Sequence, residues 1–93
     1  MTKGTTGMQA LLTAQFDTTA ALSALTGEYH RLLQHCAAAA FARQMAESGP
    51  SAALAEAEVE EARVAALAEA CALRIAELEQ RLGAVSRDLE TLL

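Results

Sequence analysis

At 93 residues with a net charge of −5, the chain suits one small domain, because a chain this short buries too little of its unfolded surface to support two cores. A hydrophobic share of 53% excludes a disordered chain. With no clustered Lys and Arg to meet phosphates the charge argues against nucleic acid, and the longest apolar run, Cys36 to Ala42, is far short of the roughly 20 residues that cross a bilayer.

Residues 1–7, with Gly4 and Gly7 among threonines, have no periodicity and read as a disordered tail. From Met8 apolar residues recur three and four apart: Met8, Leu11, Leu12, Phe16, Leu22, Leu25, Tyr29, Leu32, Leu33, Cys36 and Ala40. That is the stripe of an amphipathic helix over about residues 8–47, and the abundant alanine favours helix before any packing is considered. The stripe keeps its phase through Gly27, where the residue type allows a kink.

Glu47-Ser48-Gly49-Pro50-Ser51 is the strong punctuation in the chain. Gly49 is expected to take the left-handed conformation that ends a helix, Pro50 to stop its continuation and Ser51 to cap the second helix. The turn is therefore placed at 48–51.

Over about residues 52–93 a heptad repeat can be written with Leu54, Glu61, Ala68, Ile75, Leu82 and Leu89 at one seam position, and Ala57, Val64, Cys71, Leu78, Val85 and Leu92 at the other. All are apolar except Glu61, and so long a 3.5-residue repeat predicts a second helix coiled against a partner. Two helices of similar length joined by a short turn give an all-α, antiparallel two-helix hairpin with coiled-coil-like packing, in a single domain spanning 8–93. Facing residues then have numbers summing to about 99, which sets Cys36 and Cys71 about 12 Å apart along the axis, too far for a disulfide.

Charge divides unevenly. Lys3, Arg31 and Arg43 balance Asp17, Glu28 and Glu47, so the net charge belongs to the second helix, with Glu56, Glu58, Glu60 and Glu61 near its start. Those acids suit the positive end of a helix dipole, and Glu60 stands three before Arg63, a spacing that pairs along a helix.

No catalytic or cofactor site is expected. In the cluster Glu28, Tyr29, His30, His35, Cys36, His30 and His35 are five apart and His35 adjoins Cys36, so they point in different directions and fail the three-or-four spacing of helical metal ligands. Tyr29 and Cys36 belong to the seam, and the two histidines to its rim. Cys36 and Cys71 both fall on core positions, where a thiol behaves as a small hydrophobe.

The apolar seam is the remaining feature. Ile75, Leu78, Leu82, Val85, Leu89 and Leu92 form a ridge stronger than the facing segment, which holds Thr13, Gln15, Thr18 and Thr19. Leu67 and Leu73 lie off the heptad and widen the face. These eight apolar residues, Leu67 through Leu92, are the expected partner-binding set, for a protein partner's helix or for a second copy of the chain.

The segment Leu22-Ser23-Ala24-Leu25-Thr26-Gly27-Glu28-Tyr29-His30-Arg31-Leu32-Leu33 resembles the first long helix of FlgN-type flagellar export chaperones, and the hairpin layout is similar to type III secretion chaperones. The resemblance implies a small cytoplasmic chaperone or adaptor that binds a client helix, in keeping with an N-terminus that lacks the apolar core of a secretory signal. The other reading of the same seam is a structural homo-oligomer, two hairpins making a dimeric four-helix bundle.

Overall fold

The computed structural model describes residues 3–93, with side chains from residue 6 onward. It is an all-α, antiparallel two-helix hairpin: α1 spans Lys3–Ala46 and α2 spans Ser51–Leu92. Among the described residues no helix is long and apolar enough to cross a membrane.

α1 starts earlier than its apolar stripe suggests. Residues 3–7, expected as tail, are its first turns, and only residues 1–2 of that expected tail lie outside the described residues. Propagating an existing helix gains one hydrogen bond per residue fixed, so the two glycines weaken these turns without ending them. Gly7 and Met8 are already half-buried. α1 also runs through Gly27 without interruption.

The turn differs from its expected chemistry. No described glycine has a positive φ, so Gly49 does not end α1 in the left-handed conformation. Instead the helix tightens: the Glu47 amide donates to the Gln44 carbonyl at 3.3 Å and the Gly49 amide to the Ala46 carbonyl at 3.0 Å. Both are three-residue bonds of the kind that satisfy the orphan carbonyls of a last turn. Arg43, in that turn, is the cation that the negative end of the helix favours.

Pro50, rather than Ser51, occupies the N-cap. Its carbonyl accepts from the Leu54 amide at 3.2 Å, and Ser51 is the first helical residue. Proline lacks the N–H that a helix start leaves unsatisfied, so it fits there at no cost in hydrogen bonds. The first turn of α2 holds no acid. Glu56 to Glu61 thus lie beyond the reach of the dipole, which fades within one turn, and owe their place to helix propensity and ion pairing.

The chain forms two compact units, one made of Gly27–Leu73 and the other of the segment ending at Thr26 with Arg74–Leu93. In Gly27–Leu73 the α2 seam is the heptad set Leu54, Ala57, Glu61, Val64, Ala68 and Cys71, all buried or half-buried. The facing α1 seam is also a heptad: Tyr29, Leu32, Cys36, Ala39, Arg43 and Ala46 are buried or half-buried in the same way. Val64, 4% exposed, is the best covered of them.

In the other unit Met8, Leu11, Gln15, Thr18, Leu22 and Leu25 continue the seven-residue spacing, with Thr18 buried. They face an α2 segment in which Leu78 and Val85 are buried and Ile75, Leu82 and Leu89 half-buried. The observed α1 seam thus includes Gln15, Thr18 and Arg43, and leaves out Leu12, Phe16 and Leu33 from the expected stripe. Those three are exposed, Phe16 to 75%. A heptad contact admits only a narrow face of each helix, so apolar residues one step off it stay in water however well they fit a broader stripe.

Candidate functional site: a groove along the Gly27–Leu73 unit

Two helices packed along one narrow seam leave shallow flanks on either side, and small side chains deepen them. In the Gly27–Leu73 unit one flank holds a groove of about 480 Å³. Leu32, Ala38 and Ala39 line it from α1 and Val64 and Leu67 from α2, with Glu28, Arg31, His35, Glu60 and Arg63 around them. The alanines open the groove, because each leaves the space a larger side chain would fill. Buried Ala39 and Val64 form part of its base.

The charged margin is paired along each helix. Arg31 Nη2 donates to Glu28 Oε2 at 2.8 Å on α1, a spacing of three residues. On α2, Arg63 donates twice to Glu60, from Nε at 2.8 Å and Nη2 at 2.7 Å, so the expected Glu60–Arg63 pair is present and two-pronged. That contact holds the Glu60 carboxyl below the usual glutamate range, with a smaller contribution from the charge of His35 on α1, and holds the Arg63 guanidinium more firmly protonated than usual. Cation and anion alternate on both sides, so the groove carries no single sign of charge.

Beside the groove, near the turn, Arg43 joins the helices. Its Nε donates to Glu61 Oε1 at 2.9 Å, and its Nη1 donates to Glu47. Glu61, the discordant member of the α2 repeat, is thereby matched by a discordant member of the α1 repeat.

The expected partner-binding residues separate into three groups. Leu67, 46% exposed, lines the groove, and Leu73, 62% exposed, and Leu92 are also open to solvent. Ile75, Leu82 and Leu89 are half-buried. Leu78 and Val85 are buried by the chain itself, Leu78 to 3% exposed, and present no surface to a partner. The facing α1 segment is covered in turn despite its threonines, with Thr18 buried and Ala14 and Ala21 half-buried. Within the ridge read from the sequence as unsatisfied, Leu78 and Val85 are thus covered by their own unit, while Ile75, Leu82 and Leu89 stay partly open and Leu92 exposed.

Around the groove stand several residues that the apolar pattern passed over: Glu28, Arg31 and His35 on α1, Glu60 and Arg63 on α2. Glu28, His35, Glu60 and Leu67 all fall one place before a seam residue, the flanking position of a heptad. A heptad written for α1 as well as α2 would have brought them together.

Among the described residues no group of three or more His, Cys, Asp or Glu is placed to hold a metal ion. His30 and His35 are exposed, Tyr29 and Cys36 half-buried, and Cys71 buried. No protein-family model, curated protein or solved structure matches the chain.

Proposed function

We propose that the chain is a helical protein-binding module, an adaptor or small chaperone, that takes up a helix from outside its own hairpin along the groove of the Gly27–Leu73 unit. The observation that carries this reading is the apolar surface left open in that unit. Leu67 lines the groove and is exposed, and Phe41, Met45, Val59 and Leu73 are exposed on other parts of the same unit, while no side chain of the described residues is fully buried. Helices bury their apolar faces against other helices, and a pair alone has too few neighbours to do so.

The groove suits a helix better than an extended strand. Its walls are helices, which offer no free backbone edge for strand pairing, and its apolar lining between charged margins matches the helix-in-groove mode. When the incoming helix belongs to an export substrate the module acts as a secretion chaperone, the role implied by the likeness of residues 22–33 to FlgN-type chaperones.

A photo-crosslinking residue at position 67 tests the reading in the cell of origin, with position 90, on an exposed charged face, as the control. The expected result is a discrete adduct from position 67 and none from position 90, with the attached peptide mapping to an amphipathic helix. Equal labelling from both positions, or no adduct at 67, overturns the proposal.

A further inference from the structure

We draw no further inference here: the strongest candidate, the apolar groove on the flank of the Gly27–Leu73 unit between Leu32, Ala38 and Leu67, belongs to the site already described, and nothing in the structure shows what covers it, since the charges at its margin are already paired along each helix.

Discussion

Arg43 Nε donates to Glu61 Oε1 at 2.9 Å across the seam, joining the two charged residues of their respective heptads in the Gly27–Leu73 unit. Side chains at seam positions are partly shielded from water, and this contact holds the Arg43 guanidinium more firmly protonated than usual. Replacing either residue by Ala lowers the melting temperature, and a double-mutant cycle gives a favourable coupling that shrinks as salt is raised. Strict additivity of the two substitutions would mean that the pair contributes nothing to the hairpin. Glu61→Leu alone is a poor probe, because it restores an apolar seam while leaving Arg43 only its pair with Glu47.

Gly27→Ala stabilises the chain by about 1 kcal/mol, the difference in propensity within a helix interior. Room exists for the added methyl, whose nearest neighbour is the flexible end of Arg31 at 3.8 Å. Chemical denaturation checks the sign. A loss of stability would mean that the glycine serves a bend the helix needs.

Gly49→Ala is neutral or stabilising, by up to about 1 kcal/mol, through the reduced freedom of the unfolded chain. A left-handed glycine predicts the opposite sign. Gly49 does not have a positive φ, and a Cβ there lies 3.5 Å from the Ala46 carbonyl oxygen, an ordinary contact. Thermal unfolding of the variant reads the sign directly.

Leu78→Ala costs about 2–4 kcal/mol, since it removes a buried side chain from a small core and leaves a cavity. Leu73→Ala, at an exposed site, changes stability by less than about 0.5 kcal/mol. Urea unfolding of the two variants separates them. Leu78→Glu would bury a charge and unfold its unit, so loss of binding in that variant carries no information about the interface.

Glu60 gives the chain a small acid sensitivity. Its folded pKa lies below the unfolded value because the carboxylate accepts two bonds from Arg63. The stabilisation is therefore complete above the unfolded value of about 4.3 and is lost as pH falls through the folded one. In a carbon-detected NMR titration the Glu60 midpoint falls below that value, and Arg63→Ala moves it back up. An unmoved midpoint in the variant would remove Arg63 as the cause. The arginines contribute no pH dependence, since they stay protonated up to about pH 12.

The amino-acid sequence by itself determined the helical class, the place of the turn and the α2 seam. Each of these is local: alanine content favours helix, Gly49-Pro50 interrupts it, and an apolar residue every three or four places marks the buried line. Only the tertiary structure decided which α1 residues oppose that line. Leu12, Phe16 and Leu33 are more apolar than Gln15, Thr18 and Arg43, yet the latter three lie on the seam, because the phase of a narrow two-helix contact is a property of the pair. The groove was hidden for the same reason. Its alanines and paired charges are spread over both helices, and they become a site only when the hairpin sets the two flanks side by side.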